Sequence, residues 1–273
     1  MSVTEINESN KNNCKIIVVT SGKGGVGKTT TSANIGAGLA MRGNKVALID
    51  TDTGLRNLDL LLGLENRIMY DLVDVTSGRV AYKKALVRHK KYETLYLLPT
   101  SQIKDKMAVT PQQVVELCKE MSSDFDYIII DCPAGIEQGF KTAVAAADIA
   151  LIVTMPEISA VRDADKIIGE LNRAGKENLL LVVNRIRPAM VEKGDMLGIE
   201  DINDILAIKC IGQVPDDEMV VTSTNRGEPV IANDKSLAGK AYINITRRLC
   251  GEEVPFLDLT VKESFFTRLK KLF

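Results

Sequence analysis

The residues with the most legible chemistry are Ser21-Gly22-Lys23-Gly24-Gly25-Val26-Gly27-Lys28-Thr29-Thr30. They satisfy the pattern G-x-x-x-x-G-K-[ST], between an apolar run and a helical one, the context that pattern requires. Glycines at 22, 24, 25 and 27 let the backbone bend until successive N–H groups, from Gly24 through Thr30, converge on phosphate oxygens. A helix starting near Lys28 adds its positive end. Lys28 is placed to reach the β- and γ-phosphates, and Thr29 to ligate Mg²⁺.

Two other apolar runs end in acid. Ala47-Leu48-Ile49-Asp50 continues into Thr51-Asp52, and Tyr127-Ile128-Ile129-Ile130 delivers Asp131. In an open parallel sheet ligands bind beyond the carboxyl ends of the strands, so Asp50, Asp52 and Asp131 can converge on the glycine loop. Asp50 and Asp131 then read as parts of the Mg²⁺ shell. His89 is the single histidine and lies outside every motif. Histidine acid–base chemistry is therefore not expected, and a carboxylate must position an attacking water.

These residues need a scaffold, and the surrounding pattern supplies one. Short, β-branched, nearly all-apolar runs occupy 15–20, 45–50, 127–131, 149–154, 179–184 and 210–214. Such runs suit strands buried on both faces. Helical patterns lie between or after them, over 29–42, 111–121, 137–147, 159–174 and 236–249. Gly43 is a C-terminal stop, and Thr110 caps a helix with Pro111 in its first turn. Strand–helix alternation at this spacing predicts an α/β fold, a doubly wound, mostly parallel sheet flanked by helices. The predicted organisation is a disordered lead-in over 1–13, one domain over 14–250, a linker over 251–260 and a distinct segment over 261–273.

The chain has 273 residues, 45% hydrophobic, with a formal net charge of -1, enough apolar material for one large core. Near-neutral charge gives no global field for nucleic acid, so none is expected as a partner. No apolar run reaches the ~20 residues of a membrane span. The lead-in lacks the marks of a signal or transit peptide. Five cysteines, none in a C-x-x-C pair, disfavour both a disulfide framework and a zinc site.

Residues 261–273 read Val-Lys-Glu-Ser-Phe-Phe-Thr-Arg-Leu-Lys-Lys-Leu-Phe. On a helix, Phe265, Phe266, Leu269, Leu272 and Phe273 share a stripe about 120° wide, with Arg268, Lys270 and Lys271 beside it. Two readings fit: a membrane-surface helix, favoured by the basic flank and the connector before it, or a last helix packed on the core.

The early Lys23 is not required by the simple loop. K-G-G-x-G-K-T-T resembles the deviant Walker A form of the ParA/MinD/nitrogenase-iron-protein class of ATPases. Further strings bring the likeness closest to the MinD family of septum site-determining proteins, bacterial and plastid, over nearly the whole chain after Lys15. They include Gly54-Leu55-Arg56-Asn57-Leu58-Asp59, Asp131-Cys132-Pro133-Ala134-Gly135-Ile136-Glu137, residues 156–165, Val183-Asn184-Arg185 and Ser223-Thr224-Asn225-Arg226-Gly227. The resemblance implies ATP and Mg²⁺ as cofactors and ATP hydrolysis, with Lys23, Lys28 and Asp52 as catalytic residues. Lys23 would act across an ATP-bound homodimer, and Asp52 would position the water. The Gly135 N–H would sense the γ-phosphate, and Asn184 with Pro215-Asp216 would flank the adenine. Arg56 and Asp163 would lie on a dimer or partner surface, or be ordinary salt-bridge residues. Implied partners are an anionic membrane surface, a MinE-like activator and a MinC-like division inhibitor. The expected location is peripheral, on the cytoplasmic face of a bacterial inner membrane or the stromal side of a plastid inner envelope. Some ATPases of the class carry iron–sulfur clusters on paired or bridging cysteines, but here Cys132 reads as a small buried thiol. A ParA-like DNA segregation ATPase is the alternative, disfavoured by the neutral charge and the Phe/Leu end.

Overall fold

The computed structural model describes residues 14–52, 56–101 and 109–259. The strands are β1 Lys15–Thr20, β2 Val46–Asp50, β3 Val87–Arg88, β4 Leu95–Leu98, β5 Tyr127–Asp131, β6 Ile149–Thr154, β7 Leu179–Ile186 and β8 Lys209–Pro215. They form one sheet in the order β3-β4-β2-β5-β1-β6-β7-β8. Every pairing is parallel except β3 with β4. The longer helices are α1 Lys28–Met41, α2 Pro111–Met121, α3 Gln138–Val144, α4 Ile158–Arg173, α5 Ile199–Leu206, α6 Glu218–Asn225 and α7 Leu237–Leu249.

Alternation along the central strands divides the core. Ile17 and Val19 of β1 join Leu48, Ile129, Leu151, and Ile35 and Leu39 of α1 with Tyr242 and Ile245 of α7 on one face. Val18 points the other way, to Ile49, Ile130, Ile152 and the buried sides of α2, α3, α4 and α5. Full burial of each such side chain contributes roughly 1.5–3 kcal/mol, which is why these strands read as continuous apolar runs. After β1 the chain winds first to the β2 side and then to the β6 side, so the winding reverses around β1, where a doubly wound sheet opens its ligand crevice.

The expected doubly wound α/β architecture is present. The runs at 15–20, 127–131 and 149–154 match β1, β5 and β6, and the helix at 111–121 matches α2, with Thr110 as its cap. Elsewhere bounds move slightly. α1 begins at Lys28, α3 is shorter than 137–147, and β7 runs on to Ile186. Gly43, at φ 85°, stands just beyond the end of α1. Strands β3 and β4 were not anticipated, since two and four residues are too few to show a period.

Of the connector expected over 251–260, residues 251–259 are described, and they lie against the fold. The Arg248 guanidinium donates to the carbonyls of Ile211, Val254 and Pro255 at 2.8–3.0 Å. It also stacks over the Phe256 ring, 4.1 Å from its centroid. Leu257 packs on one core cluster and Leu259 on the other. The stripe Phe265, Phe266, Leu269, Leu272 and Phe273 lies outside the described residues. No described helix is long and apolar enough to cross a membrane.

Candidate functional site

The glycine loop spans the gap between β1 and α1. Gly25 (φ 78°) and Gly27 (φ 102°) adopt the left-handed conformation that side chains disfavour. Gly27 is the residue before α1 and offers no side-chain cap, so the first-turn N–H groups face the loop without one. Two neighbours hold the loop from behind. A Cβ on Gly22 would lie 2.2 Å from the Asp163 carbonyl oxygen, so residue 22 packs against α4. Asn184 at the end of β7 donates from Nδ2 to the Val26 carbonyl at 2.8 Å. A Cβ on Gly24 or Gly25 would meet nothing within 4 Å, so the cradle is open on that side. Lys28 is buried and Thr29 and Thr30 are half-buried at the helix start.

Asp50 and Asp131 are 2% and 1% exposed and stand side by side in the β2–β5 register. Ser32 Oγ donates to Asp131 Oδ1 at 2.8 Å, and the Thr29 hydroxyl also bonds the Asp131 carboxylate. Asp52 donates its N–H to Asp50 Oδ1 at 3.0 Å, and Thr51 Oγ donates to the Asp131 carbonyl at 2.7 Å. Burial raises the pKa of both carboxyl groups above the ordinary aspartate range. For Asp50 the neighbouring Asp131 raises it further. For Asp131 the bonds from Ser32 and Thr29, and the Lys28 charge, oppose the rise.

Two dry carboxylates beside a threonine hydroxyl form an oxygen donor set short of positive charge, which fits a hard divalent cation. Among the described residues no cluster of three or more His, Cys, Asp or Glu could hold a metal without help. The paired carboxylates suit Mg²⁺, which takes one or two carboxylates and completes its octahedron with water and phosphate.

A cavity of about 70 Å³ is lined by Thr51, Asp52, Pro133, Ala134, Glu137 and Phe140 among others. That is room for ordered water next to Asp52. The segment after Asp131 closes back on the glycine loop, where the Gly135 N–H donates to the Ser21 carbonyl at 3.2 Å. Burial pushes the Cys132 thiol up to about 12, and all five cysteines are free, so Cys132 is the small buried thiol expected.

On the far side of the loop, β7 departs from regular pairing between Val183 and Ile186. There Arg185 takes φ 56°, a left-handed conformation uncommon for a non-glycine residue. The Asp216 N–H donates to the Ile186 carbonyl at 2.9 Å, and Arg187 Nε donates to Asp216 Oδ2 at 2.6 Å. Asn184 and Pro215-Asp216 thus stand near the ends of two neighbouring strands.

Lys23 leaves the loop toward α4. Its Nζ lies 3.2 Å from both Glu157 Oε2 and Ser159 Oγ of the same chain. Arg56 bonds the buried Asp59 through Nε and Nη2, at 2.9 and 2.5 Å, and Asp163 pairs with Lys166. Both therefore carry intrachain ion pairs. Sequence reasoning overlooked Ser32, Thr51, Glu157 and Arg187. Only Ser32 left a trace, four residues after Lys28 and so one turn along the same helix face.

Residues 14–182 match a protein family described as an AAA domain. The septum site-determining protein MinD of Synechocystis sp. is 52% identical over 259 residues, covering 94% of this chain and 97% of that protein. A MinC:MinD cell division protein complex from Aquifex aeolicus superposes with a TM-score of 0.83 at 50% identity, over 90% of this chain and 100% of that one. MinD from Pyrococcus horikoshii, complexed with Mg-ADP, gives 0.79 at 29% identity, over 86% and 96%. With the glycine loop, its early lysine and the paired strand-end aspartates all in place, and half the residues shared along nearly the full length, the chain belongs to the MinD family of septum site-determining P-loop ATPases.

Proposed function

We propose that this chain is an Mg-ATP hydrolase that pairs on ATP, cycles on and off a membrane surface, and places the division septum by recruiting an inhibitor of division. The observation that carries the reading is the meeting of the P-loop with two buried carboxyl groups, Asp50 and Asp131, at the point where the sheet's winding reverses. Thr29, Asp50 and Asp131 would hold Mg²⁺, directly or through water. When bound, that ion would supply charge neutralisation at the phosphates.

The rest falls to the chain's own groups. The loop N–H groups from Gly24 to Thr30 orient the phosphates, and Lys28 draws charge off the β- and γ-oxygens. Asp52, at the small cavity, orients water for in-line attack and accepts its proton. Gly135 exchanges its bond to Ser21 for one to the γ-phosphate, a rearrangement of the kind that makes nucleotide switches. Lys23 leaves Glu157 and reaches the partner's nucleotide. The exposed Ile136 and Ile158, at the same carboxyl edge of the sheet, support a paired surface there.

Residues 261–273 would provide the membrane contact. One such segment binds weakly, because ordering a short helix offsets much of its apolar burial. Two in a dimer bind far more tightly through effective concentration. The Aquifex relative, solved with MinC, supports a MinC-like partner. A MinE-like activator completes the cycle. Solved structures of ParA-type ATPases, such as one 23% identical, show likeness of fold alone.

The test is pelleting of the full chain with anionic vesicles under ATP or ADP, beside a chain cut after Leu259. ATP-dependent pelleting of the full chain only is expected. Equal pelleting of the cut chain would refute the membrane reading. Loss of turnover in Asp52→Ala, with ATP still bound, tests the catalytic assignment.

A further inference from the structure

The Asp131 carbonyl accepts twice from one residue, from the Thr51 N–H at 3.1 Å and from the Thr51 hydroxyl at 2.7 Å. The first bond is the next rung of the β2–β5 ladder, in which Asp50 pairs with Asp131. The second is one that the sheet itself does not require. We propose that Thr51 is a positioning residue for ATP hydrolysis, whose hydroxyl fixes the exit of β2 on β5 and so holds Asp52 at a set place relative to the glycine loop. This role rests on the reading of Asp52 as the carboxylate that orients the water.

One peptide group makes the connection. The Asp131–Cys132 peptide gives its N–H to the Val19 carbonyl of β1 at 3.1 Å, and its carbonyl oxygen takes both Thr51 donors. Strand β1 runs directly into the glycine loop, and β2 runs directly into Asp52. These two strands do not touch in the sheet, because β5 lies between them. Whatever fixes the phosphate cradle against the water-orienting carboxylate through the sheet must therefore cross β5. Asp131 is the last residue of β5 and is paired on both sides, with Val19 and with Asp50. The Thr51 hydroxyl bonds at the crossing point.

The bonding capacity of the groups accounts for the arrangement. A carbonyl oxygen has two lone pairs, and Thr51 fills both, so its buried side chain is held in one orientation. The Asp52 N–H is bonded in turn to Asp50 Oδ1 at 3.0 Å. Three bonds thus tie down the backbone from Asp50 to Asp52, two of them to β5. Thr51 also shares with Asp52 the lining of the cavity of about 70 Å³ that has room for water. Removing the hydroxyl leaves the Asp131 carbonyl its bond from the Thr51 N–H, so no buried polar group is orphaned. The loss then falls on placement rather than on folding. A misplacement of about 1 Å at a water-orienting group lowers the rate by up to ~100-fold.

The experiment measures ATP turnover against ATP and against Mg²⁺ in the full chain, for wild type, Thr51→Val, Thr51→Ala, Thr51→Ser and Asp52→Ala. Binding of a fluorescent ATP analogue reports folding. Valine keeps the branched shape and loses the donor, alanine loses both, and serine keeps the donor. The expected kcat of Thr51→Val is lower by ~10-fold or more, with KM for ATP, analogue affinity and half-saturating Mg²⁺ each within about twofold of wild type. Thr51→Ser should stay within about threefold of wild type. A wild-type kcat in either donorless variant overturns the proposal, and so does a serine variant as slow as the valine one. A rate that returns at high Mg²⁺ assigns the effect to the metal shell and overturns it too. Loss of analogue binding in both donorless variants, with serine normal, makes the bond a structural tie and equally overturns the positioning role. Full turnover in Asp52→Ala removes the water-orienting role and the proposal together. An inactive Asp52→Ala beside a fast Thr51→Val removes the role of Thr51 alone.

Discussion

The Lys23 ammonium and the Glu157 carboxylate, 3.2 Å apart, form an ion pair within one chain. Their side chains are 39% and 48% exposed, so the pair contributes only about 0–1 kcal/mol. Lys23 is parked cheaply. Replacing it with alanine should leave Tm within about 2 °C of wild type and abolish the ATP-dependent dimer in light scattering. A Lys23→Ala protein that still doubles its mass with ATP would remove the lysine from the dimer interface.

Gly22 and Gly24 make a controlled pair. A Cβ at 22 collides with the Asp163 backbone, whereas one at 24 meets nothing within 4 Å. Overpacking of this kind costs about 1–3 kcal/mol, which at about 2–4 °C per kcal/mol is a clear drop in Tm for Gly22→Ala. Gly24→Ala should stay within about 0.5 kcal/mol. Similar melting curves for both would show that the loop does not bear on α4.

Asp131 ties function to stability with a definite sign. Burial raises its pKa to about 6, against the opposing bonds from Ser32 and Thr29. A carboxyl raised on folding contributes stability below its unfolded pKa, and that stability is lost as pH rises through the folded value. Metal-free Asp131→Asn should therefore melt above wild type at pH 7.5, with the gap closing toward pH 5. It should also lose the extra stabilisation that Mg²⁺ gives with ATP. A metal-free variant less stable than wild type at pH 7.5 contradicts this.

His89 titrates in the opposite sense. Burial first, and then Lys91 and Arg67, lower its pKa below 6.5. Its Nδ1 accepts from the N–H groups of Lys91 and Tyr92, both at 3.1 Å, which a protonated ring could not do. Its stability contribution is present above pH 6.5 and is lost as pH falls through the lowered value. Because it is the single histidine, its NMR resonances need no assignment. A titration midpoint at or above 6.5 would contradict the buried, neutral ring.

Much of this was readable before any coordinates. The fully buried strands announce themselves because both faces are apolar, and Thr110 and Pro111 mark the start of α2 because a cap is a local event. The P-loop and the aspartates at 50 and 131 are equally local, each fixed by its own strand end. What escaped is long-range or very short. Asn184 finds Val26, and Lys23 finds Glu157, only once the sheet order brings β7 and α4 beside the loop. Arg187 and Asp216 meet across two strand ends 29 residues apart. Strands β3 and β4 hold too few residues to declare a period.

The clamp of Arg248 on residues 254–256 sets a length scale. Treated as free linker, residues 251–260 would let the chain end roam about 35 Å from the fold. With Leu259 docked, only about 7 Å of extended chain separates the last packed residue from residue 261. On the proposed reading, the membrane contact then begins within a short leash of the docked residues 251–259. Its place of departure is set by the fold, so the ATPase domain would ride close to the lipid in a restricted pose, and two paired domains would plant their feet at a set spacing.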